Sequence, residues 1–458
     1  MNNLKQMQDK NKILVPLNAS LVDAMKVLRE TGFRIVFIHN DDYKIVGVLT
    51  DGDIRSVIID NGNTEALVAD HMNKDFVFVY ENTPKEKILK MLDTKILVIP
   101  VLDAEHKLVD FVDSGYLHFQ GEIYSRAKAP ARLSFSGGGT DFTKYFMTHG
   151  GVALSTTIDI YSHTLLKKRE DSKIIIKSYD FDETVSSSSI DDLNYDGRLD
   201  LIKAGVKVMR PKYGFELSVN SDFTPGTGLG GSASILASVI GCFNEFREEK
   251  LDAYSIAELA YEAERVELQI SGGWQDQYST VFGGLNFIEL HEDHNTVTPM
   301  RVSDKIVSEL EERMLLCYTG EKHLGGKIQD DVKKRNPKED QNVEFIKNIK
   351  KITSSMRSCL LRGKLDEFGL LLHESWEQKK IHNNETTNFS LNELYNFALS
   401  SGAAGGRLVG TGGGGYFLFQ AKPFKKLELT NALKQKGFGI RNFNITHRGL
   451  SSWTSRSA

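Results

Sequence analysis

The chain has 458 residues, 40% of them hydrophobic and 26% charged, with a formal net charge of −4. That length exceeds one ordinary core and implies two or three domains, and the near-neutral charge gives no ground for nucleic acid or an anionic membrane as partner. No apolar run could span a bilayer, the polar opening MNNLKQMQDKNK lacks the apolar core of a signal peptide, and Cys242, Cys317 and Cys359 are too scattered for a disulfide framework, so a cytoplasmic protein is expected.

In chain order, an internal repeat comes first. VPLNASLVDAMKVLRETGFRIVFIHNDDYKIVGVLTDGDI is followed about sixty residues later by VYENTPKEKILKMLDTKILVIPVLDAEHKLVDFVDSGYL. Each copy opens with apolar residues at helical spacing (Leu21, Met25, Leu28; Ile88, Leu89, Leu92). A strand (34–38; 96–101), an acidic turn, a second strand and a short helix follow. The two copies, residues 1–122, resemble a tandem pair of CBS domains. In the first copy, Gly47-x-x-Thr50-x-x-Asp53 matches the nucleotide signature of such domains. The resemblance implies that the Thr50 hydroxyl meets phosphate and Asp53 meets ribose, so an adenine nucleotide is expected there. The second copy has Asp110, Asp113 and Tyr116 at those places, and an acid in place of the threonine repels phosphate. At most one competent nucleotide site is expected. The alternative is a pair that only packs or forms a homodimer.

The polar segment GEIYSRAKAP (121–130) ends the repeat. APARLSFSGGGTDF (129–142) reads as a strand running into a turn of Gly137, Gly138 and Gly139, followed by Thr140 and Asp141. SSSS (186–189) reads as a flexible loop. VNSDFTPGTGLGGSASILAS (219–238) contains Gly226-x-Gly228-x-x-Gly231. A dinucleotide fold is excluded, because SIAELAYEAERVELQ is helical where a second strand is required. A Walker loop is excluded, because Ser232 stands where the lysine belongs. The physics common to both survives. Glycines let amides approach phosphate, and a helix N-terminus favours anions. Ser232 is placed to reach a metal held by those phosphates.

AYEAERVELQISGGWQDQYSTVFGG follows, with Glu262, Glu264, Glu267 and Asp276. HEDH (291–294) lacks the HExxH spacing and reads as a turn after a strand. DDVKKRNPKED (330–340) reads as a solvated helix end. LVGTGGGGYFLF (408–419) puts four glycines between two strands. Their entropic cost excludes a regular strand and suits a backbone pressed against another loop.

Three glycine stretches in this order, each flanked by regular structure, resemble the GHMP superfamily of small-molecule kinases from about residue 125 onward. The first motif looks most like the subgroup of heptose phosphate kinases and related sugar 1-kinases. The fold class implied is multidomain α/β (α+β), a CBS tandem repeat followed by a two-lobed kinase. Its lobes would cover about 123–295 and about 296–458. The resemblance implies that Gly226, Gly228, Leu229, Gly230, Gly231, Ser232 and Ala233 hold the triphosphate of ATP, and that Ser232 and Glu264 hold Mg²⁺. It implies that Asp276 accepts the proton of a sugar hydroxyl and that Arg132 lies beside the transferred phosphoryl group. Gly137, Gly138, Gly139, Thr140 and Asp141 would hold sugar hydroxyls. The residues alone leave other readings open. Any of the three glutamates could be a surface acid, Asp276 could cap a helix, and Arg132 could serve a structural ion pair.

The reaction implied is transfer of the γ-phosphoryl group to the anomeric hydroxyl of a sugar or sugar phosphate. D-glycero-D-manno-heptose 7-phosphate is the expected acceptor, giving the 1,7-bisphosphate for nucleotide-sugar and surface glycan synthesis. One alternative is a kinase for a neutral sugar such as L-fucose. Another is a nucleotide-sensing regulator with an inactive kinase half, against which the intact Ser232, Glu264 and Asp276 argue. No basic cluster in the sequence can be placed against the far end of the sugar. Lys128, Lys144 and the run Lys167, Lys168, Arg169 are candidates for a second phosphate or are surface charges.

Overall fold

The computed structural model describes residues 10–92, 96, 98–113, 122–321 and 340–456. Tyr116 and residues 330–339 of the basic segment lie outside these. The chain divides into two compact units after Gly121.

The first unit contains β1 (Leu14–Pro16), α1 (Leu21–Thr31), β2 (Ile35–His39), β3 (Ile45–Thr50), α2 (Asp51–Asn61), α3 (Val68–His71), β4 (Val79–Tyr80), α4 (Lys85–Met91), β5 (Val98–Leu102) and β6 (Leu108–Asp113). They form two three-stranded sheets, ordered β1-β2-β3 and β4-β5-β6. The repeat is structural. Thr50 pairs with Ile35 as Asp113 pairs with Val98, and a bulge at Ile38/His39 has its counterpart at Val101/Leu102. Ser20 starts α1 by accepting the amide of Asp23, and left-handed Gly32 ends it.

The second unit contains β7 (Ile123–Ser136), α5 (Thr143–His149), β8 (Gly151–Lys168), β9 (Ile174–Ser178), β10 (Glu183–Ser187), α6 (Asp200–Met209), β11 (Phe215–Ser221), α7 (Gly231–Asn244), α8 (Ala253–Tyr261), α9 (Gln275–Phe282), β12 (Asn286–Leu290), β13 (Asn295–Pro299), α10 (Asp304–Arg313) and β14 (Met314–Tyr318). There follow α11 (Asp340–Arg362), α12 (Leu365–His382), α13 (Phe389–Ser400), β15 (Ala403–Leu408), β16 (Tyr416–Ala421), α14 (Lys426–Gln435), β17 (Gly439–Arg441) and β18 (Ser451–Arg456). The larger sheet runs β10-β9-β11-β8-β12-β13, with β7 on β8 and β18 on β7. The smaller sheet runs β15-β16-β14-β17. The larger sheet thus extends past residue 295 to Pro299 and takes its last strand from the C-terminal end of the chain.

Ser186 and Ser187, expected in a loop, are the end of β10 and pair with Ile175 and Ile174. Val185 packs on the core beside them, so backbone pairing at a sheet edge outweighs the low apolar content. HEDH connects β12 to β13 as a hairpin turn, with the His291 amide donating to the His294 carbonyl at 3.2 Å.

One register break positions the site. Between Pro130 and Ala131 the pairing of β7 skips from Tyr161 to Ile158. Pro130 has no amide proton for the ladder, and a bulge is where proline is tolerated. The break exchanges faces. Ala127 and Ala129 belong to the core beneath α7, whereas Ala131, Leu133 and Phe135 belong to the core shared with α11 and α12. The intervening Arg132 is thereby turned toward the loop that opens α7. Among the described residues no helix is long and apolar enough to cross a membrane.

Candidate active site

Beyond the bulge, the Arg132 amide donates to the Leu229 carbonyl at 3.0 Å, so the second glycine stretch meets β7 past Lys128, where its pairing with β18 ends. The Arg132 side chain is 4% exposed. Its Nη1 donates to the Gly228 carbonyl at 2.7 Å. Its Nε and Nη2 donate to Oδ1 and Oδ2 of Asp276, each at 2.7 Å. This is a two-pronged charged pair, the strongest geometry available to these side chains. Gly230 permits it. A Cβ there would lie 2.9 Å from Arg132 Cγ, and the residue has φ +74°.

Helix α7 begins at Gly231 with no side-chain cap, which leaves its first amides to the loop in front of it. Ser232, in that first turn, borders the same cavity as Glu264, and its hydroxyl favours the ionised carboxylate. Gln277 Nε2 donates to the same carboxylate at 2.8 Å, and Arg265 Nη1 lies 3.3 Å away. Burial holds the Glu264 carboxyl above its ordinary range; Arg265 opposes this and the Asp276 charge adds to it. Glu264 lies in a π-turn, Glu262–Glu267, which extends α8. Glu264 continues the buried face of Ala257 and Ala260 and is 4% exposed, while Glu262 and Glu267 remain exposed. Such turns recur at functional sites.

The third glycine stretch closes on the second. A Cβ on Gly415 would lie 2.4 Å from the Thr227 carbonyl oxygen, and one on Gly412 would lie 2.5 Å from Thr386 Cγ2. The first stretch ends in a turn held by Asp141, which is 2% exposed. The Asp141 carboxylate accepts the amides of Gly139 at 3.0 Å and Gln275 at 3.3 Å. Burial, then the Asp276 charge, raises its pKa against those amides.

Two cavities meet here. One, of about 1560 Å³, is bordered by Gly226, Gly228, Gly230, Gly231, Ser232 and Glu264, with Leu199, Phe223 and Ile270 among its apolar lining. The other, of about 680 Å³, is bordered by Gly138, Gly139, Asp141, Lys379, Asn383 and Arg407. Arg132, Asp276, Gly410 and Thr411 border both. Asp276 is the one carboxylate on the shared wall among the described residues. The arrangement can hold a polyphosphate on one side and a small polar acceptor on the other, with a carboxylate and a guanidinium between them.

Four expected contacts are built differently. Gly137 and Thr140 do not border the second cavity. Gly137 packs on Val152, where a Cβ would lie 2.1 Å from the carbonyl oxygen, and the buried Thr140 hydroxyl donates within the turn to the Gly137 carbonyl at 2.8 Å. These two shape the turn that presents Gly138 and Gly139. Leu229 and Ala233, each 1% exposed, put their side chains into the core and have only backbone to offer a ligand.

The expected second-phosphate lysines are elsewhere. Lys128 lies over Tyr161 and Lys144 over Tyr145. Lys167 pairs with Glu122, Lys168 lies over Tyr213, and Arg169 pairs with Asp171. None of them borders either cavity. Besides Arg132, the smaller cavity is bordered by two cations that sequence reasoning did not find. Lys379 Nζ donates to the Gly410 carbonyl at 2.6 Å, and Arg407 Nη1 donates to the Phe135 carbonyl at 2.8 Å. Enclosure, and then the charges of Arg407 and Arg132, push the Lys379 ammonium well below the usual lysine range. Burial pushes Arg407 down to about 10. Lys379 sits in EQKKIH, which reads as a solvated helix end. Arg407, lying just before the four glycines, was the one available signal.

In the first unit, Thr50 and Asp53 are brought together by a capping box. The Thr50 hydroxyl donates to Asp53 Oδ2 at 2.6 Å, and the Asp53 amide donates to Thr50 Oγ1 at 3.2 Å. Thr50 borders a cavity with Arg34, Arg55 and Asp75, whereas Asp53 does not. In the second copy Asp110 and Asp113 lie on β6.

Residues 200–284 match the N terminal domain of the GHMP kinases and residues 356–437 their C terminal domain, while residues 4–60 and 68–116 match CBS domains. The chain is similar to the D-glycero-alpha-D-manno-heptose 7-phosphate kinase of Campylobacter jejuni, 37% identical over 342 residues that cover 72% of this chain and 98% of the relative. It resembles the crystal structure of a D-glycero-D-manno-heptose 1-phosphate kinase from Bacteroides thetaiotaomicron, with TM-score 0.62 and 30% identity, covering 73% of this chain and 100% of the other. The bifunctional fucokinase/GDP-fucose pyrophosphorylase of Arabidopsis thaliana is 24% identical, over 70% of this chain and 32% of that protein.

Proposed function

The chain belongs to the GHMP kinases and is an ATP-dependent carbohydrate kinase, and from that premise we propose that it phosphorylates the anomeric hydroxyl of D-glycero-D-manno-heptose 7-phosphate. The observation that carries the reading is the Arg132–Asp276 pair on the wall shared by the two cavities. ATP occupies the larger cavity, with its phosphates on the loop of Gly226 to Ser232. The sugar occupies the smaller one. Asp276 accepts the hydroxyl proton as the oxygen attacks, and Arg132 orients Asp276 and offsets charge developing on the phosphoryl oxygens. Asp141 and the amides of Gly138 and Gly139 orient the acceptor.

A magnesium ion fits the Ser232 and Glu264 oxygens. Both border the cavity of the glycine loop, and Mg²⁺ takes few protein oxygens beside phosphates and waters. When bound, it neutralises phosphate charge. Ser232→Ala and Glu264→Gln should each raise the magnesium concentration needed for half-maximal rate. Magnesium titrations matching wild type in both variants would remove these residues from the metal site.

The acceptor is tested by comparing kcat/KM for heptose 7-phosphate, the unphosphorylated heptose and L-fucose, with NMR to locate the new phosphate. Heptose 7-phosphate should be preferred and C1 phosphorylated. A preference for L-fucose, or phosphorylation elsewhere, would overturn the acceptor and leave the kinase class standing. The product suits nucleotide-sugar and surface glycan synthesis.

In the CBS unit, the reading is one adenine nucleotide at Thr50 and Asp53, with the pair also able to support a homodimer. Because Thr50 and Asp53 bond each other, binding must exchange that hydroxyl–carboxylate bond for nucleotide contacts. Calorimetry on the full chain should show a second adenine-nucleotide site that Asp53→Ala abolishes. A single site, unaffected by that change, would leave the repeat a packing or dimerisation module.

A further inference from the structure

We propose that Lys379 and Arg407 form an anion site that reads a phosphate ester on the acceptor sugar, and so set the preference for a phosphorylated over a neutral substrate. The inference rests on the acceptor-cavity reading above and assigns residues to its specificity.

Location comes first. Lys379, near the end of α12, and Arg407, at the end of β15, border the acceptor cavity and not the nucleotide cavity. Their charge therefore serves the acceptor side. Next is charge balance within that cavity. Its ionisable walls carry three cations, Arg132, Lys379 and Arg407, two acids, Asp141 and Asp276, and the imidazole of His382. Arg132 and Asp276 satisfy each other in the two-pronged pair. Asp141 accepts two backbone amides and its charge favours the charged forms of Lys379 and Arg407, which leaves one positive charge in excess. Lys379 and Arg407 instead donate to backbone carbonyls of Gly410 and Phe135, which hold them in place without neutralising them. Enclosing two such groups together is unfavourable unless an anion joins them.

Unused donors point the same way. Among the described residues Arg407 Nε and Asn383 Nδ2 have no acceptor, although the two residues are only 2% and 4% exposed. Both residues border this cavity. A wall with two cations and two spare donors suits a group with several acceptor oxygens and negative charge, and a phosphate monoester is that group. Arg407 Nη2 lies 3.8 Å from where a Cβ on Gly138 would stand, so the guanidinium lies over the turn that carries the sugar. A neutral sugar would leave the charged donors unmatched, and sites of that kind discriminate strongly.

The test uses the full chain. Wild type should show kcat/KM for heptose 7-phosphate at least roughly 10²-fold above that for the unphosphorylated heptose. In Lys379→Gln that ratio should fall by about tenfold or more, and Lys379→Arg should restore much of it. Equal loss with both acceptors would assign Lys379 to the phosphoryl being transferred and overturn the inference; so would an unchanged ratio. Calorimetry with mannose 6-phosphate against mannose separates this from the identity of the sugar. Phosphate-dependent binding that Lys379→Gln abolishes, without heptose turnover, would keep the anion site and reject heptose as acceptor. Heptose turnover with no phosphate-dependent binding by wild type would do the reverse. Should Lys379→Gln fail to fold, the two wild-type comparisons and Lys379→Arg still decide the matter.

Discussion

Replacing Asp276 with Asn is expected to lower kcat by roughly 10²-fold or more while leaving ADP affinity little changed. The substitution keeps the size of the side chain and removes its capacity to take a proton. The carboxylate is the one that borders both cavities, and both of its oxygens are held by Arg132 at 2.7 Å. Its position is therefore specified to within a hydrogen bond before any substrate arrives, which is what a positioned base requires. Single-turnover kinetics at saturating ATP would isolate the chemical step. A near-normal kcat would show that the sugar hydroxyl loses its proton to another acceptor and that the pair is structural.

Replacing Arg132 with Met should cost a comparable or larger factor, about 10²- to 10³-fold in kcat. Methionine preserves some of the stem that passes over Gly230 and deletes the charge. Two losses combine. Asp276 is no longer aimed, and charge developing on the phosphoryl oxygens is no longer offset. Because both residues act through one pair, the double variant Arg132→Met/Asp276→Asn should be scarcely worse than the weaker single variant. Factors that multiply would mean that the two side chains work independently. Thermal unfolding of all three proteins, with and without ADP, controls for the buried carbonyl of Gly228 that loses its guanidinium donor.

The glycines were legible because a left-handed φ is a local requirement that a single residue satisfies. Gly226 and Gly228 have φ of +80° and +84°, and Gly415 has +91° with the Thr227 backbone where a Cβ would stand. A residue-by-residue demand of this kind is written in the chain itself. The tandem repeat was legible for a similar reason, since its helical spacing and strand lengths recur with the same offset in both copies. The short serine run was misread because its strand pairing comes from Ile174 and Ile175, not from the serines.

What the amino-acid sequence determined by itself is the order of units, the backbone of the phosphate loop and the candidate acids that follow it. Folding decided which charges meet. Arg132 and Asp276 are separated by 144 positions, and the register break at Pro130/Ala131 turns the arginine to the side where the aspartate waits. Packing selects Glu264 from three glutamates, because it continues the buried face of Ala257 and Ala260 while Glu262 and Glu267 stay exposed. Lys379 looks like a solvated helix residue until α12 is packed beside the four-glycine loop and its ammonium is enclosed with Arg407. Charges act through space and through the dielectric around them, so their roles follow from distances and burial, which only the assembled chain sets.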